Sequence, residues 1–144
     1  MNVDGNGPRA VMTTRVGCDV VTVRDVARSI DRFGDRYLQR MFTPHELAVC
    51  TGPGRAQRLA ARFAAKEAVM KVLRPRDQAV PWQAIEIRRE TWGGCAVVLA
   101  GNAAALARDQ QLTDIQVSIS HEPEYAIATV VATRVGETEG GVHP

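Results

Sequence analysis

Lysine is almost missing from this 144-residue chain, which carries 16 arginines and only two lysines, Lys66 and Lys71. Aromatic residues make up 5%, too few for the stacking platforms on which single-stranded nucleic acids are held. A formal net charge of +2 also lacks the broad basic footprint of a nucleic-acid binder. No apolar run approaches the ~18 residues of a membrane span. The polar, glycine-containing start has no apolar segment of the kind that marks a secretory signal. Three cysteines, Cys18, Cys50 and Cys95, are odd in number and far apart, which fits neither a disulfide framework nor a zinc site. A cytoplasmic protein with reduced thiols is therefore expected. Walker loop, G-x-G-x-x-G and G-x-S-x-G are all missing, so P-loop, dinucleotide and serine-hydrolase readings have no support.

What is present suits one domain with one core, since 45% of residues are hydrophobic. The domain is expected over 14–135, with flexible ends at 1–13 and 136–144. RVGCDVVTV (15–23) is valine-rich and reads as a buried strand that contains one acid, Asp19. RDVARSIDRF (24–33) has helical spacing, Gly34 is placed to break it, and DRYLQRMF (35–42) resumes it. Thr43-Pro44-His45-Glu46 is a capping box with proline at the first helical position. RAQRLAARFAAKEAVMKVLR (55–74) is the clearest helix, stopped by Pro75, with Leu59, Phe63, Met70 and Leu73 as its apolar stripe. AIEIRRE (84–90), Gly93-Gly94 and CAVVLA (95–100) form a predicted hairpin. A helix is expected at 102–112, and antiparallel strands at 114–120 and 125–135. Helices cluster early and strands late, so the class is α+β, a small antiparallel sheet packed on a long helix.

Three features carry chemistry. Asp19 is a lone carboxylate among valines, and such a charge needs a partner, a metal or an exposed strand end. Glu67 sits mid-helix beside Lys66, with Lys71 one turn later and Arg62 near its side. Alone it reads as a solvated Glu–Lys pair worth ~0.3–0.5 kcal/mol. With Asp19 from another element it makes a site for magnesium and phosphate. Ser118-Ile119-Ser120-His121 ends a strand, where His121 reads as a turn residue or a pocket rim. In addition, Arg24, Arg28, Arg32, Arg36 and Arg40 recur at every fourth position. They form either a solvated face laced with aspartates or a docking surface for an acidic protein.

Together, GCDVV (17–21), FTPHEL (42–47), RFAAKEAVMK (62–71) and VSISH (117–121) resemble the holo-acyl-carrier-protein synthase family of small 4′-phosphopantetheinyl transferases. The resemblance runs from about Arg15 to Arg134. It implies the 4′-phosphopantetheinyl transferase fold and Mg²⁺-dependent transfer of the phosphopantetheine arm from coenzyme A to a serine of an apo acyl carrier protein, releasing 3′,5′-ADP. By that resemblance Asp19 and Glu67 ligate Mg²⁺ and, with Lys71, form the catalytic set. Arg62, Lys66 and Lys71 hold phosphate oxygens, and Ser120 and His121 lie at the coenzyme A rim. Glu67, or a metal-bound water next to it, is the candidate base. Arg24, Arg28 and Arg32 dock the carrier, and the chain is a homotrimer with sites between subunits, where His121 completes a neighbour's site. The carrier could serve fatty-acid, polyketide or peptide synthesis. LRPRDQAVPW (73–82) departs from the family's Gly-rich turn after the Lys-Glu helix, and Asp25 stands where many members carry arginine. A catalytically silent protein of the same fold that binds coenzyme A or a carrier is the alternative.

Overall fold

A computed structural model describes residues 10–137. Its elements run β1 (Ala10–Thr22), α1 (Val23–Phe33), α2 (Asp35–Met41), α3 (Pro44–Val49) and α4 (Arg55–Leu73), followed by a short 3₁₀ turn (Trp82–Ala84). The chain then continues through β2 (Ile85–Arg89), β3 (Cys95–Leu99), α5 (Gly101–Asp109), β4 (Leu112–His121) and β5 (Tyr125–Glu137). The α+β class expected from the sequence holds. The five strands form one sheet in the order β1-β5-β4-β3-β2, and every neighbouring pair is antiparallel.

Local signals set most boundaries. Thr22 caps α1 by accepting from the Asp25 amide at 3.3 Å. Gly34 ends α1 with φ 58°, a left-handed conformation that costs glycine little. The capping box of α3 is complete: Glu46 donates its amide to Thr43 Oγ1, and Glu46 Oε1 accepts from the Thr43 amide. Both ends of the domain are longer than expected. β1 begins at Ala10 and β5 reaches Glu137, paired through Ala10–Glu137, so 10–13 and 136–137 belong to the sheet. The rest of the two expected flexible ends lies outside the described residues.

Helix α4 is the centre of the core. Leu59, Ala60, Ala64, Ala65, Ala68, Val69, Val72 and Leu73 are buried, whereas Phe63 and Met70 are only half-buried, so the expected stripe is replaced by a broader face. Small alanines bring the helix close to the sheet. At the closest point Gly17 of β1 lies against Ala68, where any Cβ would run into the Ala68 carbonyl. Residue 17 is glycine because the strand and helix backbones meet there. Large side chains such as Ile85, Ile87 and Val130 fill the remaining space, each contributing roughly 1.5–3 kcal/mol.

No described element covers the opposite face of the sheet. Strand side chains alternate between faces, and β1 is therefore half-buried along its length rather than buried as expected. Met12 (71% exposed), Val16 (63%) and Val20 (56%) project outward with Ile127, Val131 and Val135 of β5. The register pairs Met12 with Val135, Val16 with Val131 and Val20 with Ile127, which makes a continuous apolar stripe.

Candidate active site

The Gly17–Ala68 contact fixes the two acids. Asp19 is two residues beyond Gly17 on β1, and Glu67 immediately precedes Ala68 on α4. Both line one groove of about 400 Å³, together with Phe63, Tyr37 and Val26. Burial raises the pKa of Glu67 above the usual carboxylate value, and the charge of Asp19 raises it further, against the opposing pull of Lys71. Lys71 lies one helical turn beyond Glu67. Its ammonium donates to the Cys18 carbonyl at 2.7 Å and to Asp19 Oδ1 at 3.2 Å.

Two neighbouring, partly desolvated carboxylates repel each other, and a divalent cation relieves that repulsion. Among the described residues no group of three or more His, Cys, Asp or Glu converges. A cation here would thus have two carboxylates and no closed protein cage. That donor set suits Mg²⁺, which keeps several waters and shares its coordination with substrate phosphates.

Lys66 belongs elsewhere. Its side chain is fully closed to solvent, with Nζ 2.5 Å from Glu46 Oε1, itself equally buried. It also donates to the carbonyls of Met41 (2.9 Å) and Trp82 (3.2 Å). The phosphate-holding role expected of Lys66 is therefore corrected. Successive helical residues are about 100° apart, and Lys66 points inward where Glu67 points to the groove. Burial lowers the Lys66 pKa, with Glu46 pulling it back up. The second Glu46 oxygen accepts from the Ile87 amide at 3.0 Å. Glu46 is thus a structural hub, legible in the sequence only as a helix cap.

A second cavity, of about 470 Å³, holds His121, Arg62, Arg58, His45 and Arg89. His121 Nδ1 is 3.0 Å from Gln57 Nε2. Arg62 lines this cavity, and its Nε is buried without a hydrogen-bond partner among the described residues. Within one chain, Arg62 and His121 line this cavity whereas Asp19 and Glu67 line the other groove. Ser120 is separated from His121 as well. It alternates to the opposite face of β4, paired in register with Ile127, so its expected place beside His121 is also corrected.

The arginine series divides at Gly34. Arg24 and Arg28 of α1 flank a hollow shared with Pro123, Glu124 and Tyr125, and the Val23 amide ties α1 to the Glu124 carbonyl at 2.9 Å. Arg32 stacks its guanidinium 5.2 Å from the centre of the Phe33 ring. Arg36 and Arg40 lie on α2 around a different hollow, beside Phe33, Tyr37 and Trp82. No helix among the described residues is long and apolar enough to cross a membrane.

Comparison with known proteins converges on one family. A model of the 4′-phosphopantetheinyl transferase superfamily matches residues 15–130. The holo-[acyl-carrier-protein] synthase of Koribacter versatilis is 41% identical over 122 residues, covering 83% of this chain and 98% of that one. The synthase of Moorella thermoacetica is 43% identical over 127 residues, covering 86% and 97%. Among solved structures, the Chronobacterium ammoniagenes ACPS–CoA complex superposes with a TM-score of 0.73 at 28% identity, covering 83% of this chain and 96% of that one. The Mycobacterium tuberculosis acyl carrier protein synthase gives 0.64 at 33% identity, covering 81% and 94%.

Proposed function

The chain belongs to the 4′-phosphopantetheinyl transferase superfamily, and from that premise we propose how its residues divide the work. Its activity is transfer of the phosphopantetheine group from coenzyme A to an apo acyl carrier protein, as in the holo-[acyl-carrier-protein] synthases it matches. In the reaction the carrier's serine oxygen forms a bond to the pantetheine-side phosphorus of the coenzyme A pyrophosphate. The bond from that phosphorus to the bridging oxygen breaks, 3′,5′-ADP departs, and the serine proton passes to a base.

Asp19 and Glu67 are the residues that would hold Mg²⁺, which when bound supplies neutralisation of the pyrophosphate charge. Phosphoryl-type transfer depends mainly on positioning and charge, and the remaining residues serve those ends. Lys71 holds Asp19 in place and presents its ammonium to the phosphate oxygens at the groove mouth. Arg62 offers its guanidinium charge to a phosphate, and His121 shapes the rim of the same cavity. Glu67 is the candidate first acceptor of the serine proton. Arg24, Arg28 and Arg32 form an exposed basic face for an acidic carrier. The free thiols of Cys18, Cys50 and Cys95 suit a reducing, cytoplasmic setting.

The protein works as a homotrimer in this reading. The apolar stripe of Val16, Val20, Ile127 and Val131 is too continuous to stay in water. A second copy covers it and brings its own Arg62–His121 cavity toward the neighbour's Asp19–Glu67 groove. The separation of these two half-sites within one chain supports that arrangement.

The observation that carries the reading is the convergence of Asp19 and Glu67 in one groove beside Lys71. Its test is incubation with coenzyme A, Mg²⁺ and an apo carrier protein, followed by weighing the carrier by mass spectrometry. A gain equal to one phosphopantetheine is expected, and it should vanish in Asp19→Ala and Glu67→Gln. Near-normal turnover in either variant would remove the metal assignment, and no gain with any carrier would favour a silent binder.

A further inference from the structure

Away from the groove, four arginines surround a different hollow of about 470 Å³. They come from three places. Arg15 lies on β1, Arg134 on β5, and Arg74 and Arg76 on the segment that follows α4. Two acids, Asp77 and Asp109, also line the hollow. Among the described residues, however, no carboxylate lies within ion-pair distance of any of the four guanidinium groups. Four guanidinium groups against two carboxylates leave the hollow net positive. Burial lowers the Arg15 pKa, and Arg74 and Arg134 lower it further, as mutual repulsion requires.

The cluster is also held in place. Arg15 Nη1 donates to the Val72 carbonyl at 3.0 Å and to Gln110 Oε1. Gln110 in turn donates to the Leu73 carbonyl. Arg74 and Arg76 adopt left-handed backbone conformations, with φ 49° and 51°, where a glycine would fit without strain. The two residues that flank Pro75 thus carry strain while lining a common space. Strain of this kind gathers at ligand clamps.

We propose that the hollow ringed by Arg15, Arg74, Arg76 and Arg134 is a second anion site, separate from the Asp19–Glu67 groove, for a small ligand with two or more phosphoryl groups. A guanidinium fork matches phosphate oxygens in bidentate fashion. Two forks satisfy the oxygens of one terminal phosphoryl group, so four call for at least two such groups. The concave shape and volume suit a small molecule more than a flat protein surface. Along β1, Arg15 is four residues from Asp19, roughly 13 Å at the rise of an extended strand, and the hollow shares no lining residue with the Asp19–Glu67 groove.

The test is calorimetric titration of inorganic pyrophosphate into the full-length protein, with and without saturating coenzyme A, and of orthophosphate and ADP as comparisons. Pyrophosphate is expected to bind in both conditions, with orthophosphate weaker by about tenfold or more, the scale of one lost charge-assisted contact. ADP binding like pyrophosphate would point to nucleotides as the source of the phosphoryl groups, and weaker ADP binding to free oligophosphates; either supports the site. The double variant Arg74→Gly/Arg76→Gly should lose pyrophosphate binding while melting at the same or a higher temperature, because glycine removes the backbone strain. No pyrophosphate binding to the wild type, or its abolition by coenzyme A, would overturn the proposal. So would unchanged binding in the glycine variant, or a variant whose only defect is a higher KM for the carrier protein.

Discussion

Lys66 Nζ lies 2.5 Å from Glu46 Oε1 with both side chains closed to solvent, and two backbone carbonyls complete the ammonium's shell. This pair joins α4 to the start of α3, and through the Ile87 amide to β2. Lys66→Met leaves the Glu46 carboxylate buried without its counter-ion. The expected cost is about 3–5 kcal/mol, read as a lowered midpoint in urea denaturation. The folded fraction should keep its KM for coenzyme A. Wild-type stability with a raised KM would instead return Lys66 to phosphate binding.

Glu67 gives a pH signature with opposite signs in stability and activity. Its folded-state pKa is raised, chiefly by burial and then by Asp19, so without metal the folded state gains most below the ordinary glutamate value. That gain is lost as pH rises through the folded-state pKa. Glu67→Gln should therefore melt higher than wild type near pH 7–8 in chelator, the difference closing below roughly pH 4, the unperturbed glutamate range. With Glu67 as a metal ligand, turnover of the wild type should need the ionised carboxylate. Its acid limb should lie above the ordinary glutamate value and move to lower pH as Mg²⁺ is raised, because metal and proton compete. An acid limb insensitive to Mg²⁺ would count against Glu67 as ligand.

Gly17→Ala tests the contact on which the site is built. Its Cβ would meet the Ala68 carbonyl, forcing β1 and α4 apart at an expected cost on the order of 1–3 kcal/mol. Because Asp19 and Glu67 flank that contact, turnover should fall with stability, and higher Mg²⁺ should restore part of the rate. A destabilised variant with unchanged Mg²⁺ dependence would show that the contact does not position the acids.

Carrier docking is tested by Arg24→Ala/Arg28→Ala. The two guanidinium groups are exposed on α1, where their contribution is long-range attraction that salt screens. KM for the carrier should rise by about tenfold and lose most of its salt dependence, with kcat nearly unchanged. Unchanged kinetics would leave these arginines as a solvated face.

Assembly is tested by Val131→Lys. Val131 is paired in register with Val16 on the face of the sheet that no described element covers, and a charge placed there cannot be covered by an apolar partner surface. Light scattering should find the wild type as a trimer and the variant as single chains, and the activity of the variant should fall with the loss of contact between the two half-sites. A monomeric wild type with full activity would overturn the trimer.

How much was legible in advance differs by level. Strand alternation, the hairpin and the Thr43–Glu46 cap are local effects of backbone geometry, and the sequence alone determined them. That Glu67 and Lys71 share a helix face was legible too, since residues four apart do so, but the ion pair of Lys71 is with Asp19 and not with Glu67. The same spacing argues against Lys66, one residue from Glu67, and only the family likeness placed it at the phosphate. Tertiary structure decided the rest. Lys66 is buried because Glu46 arrives from a helix 20 residues upstream, and Asp19 meets Glu67 because Gly17 lets a distant strand lie on Ala68. Ser120 and His121 part because one step along a strand reverses the face. The four arginines of the second hollow are scattered from Arg15 to Arg134, and they become one site only when the sheet and the end of α4 fold together.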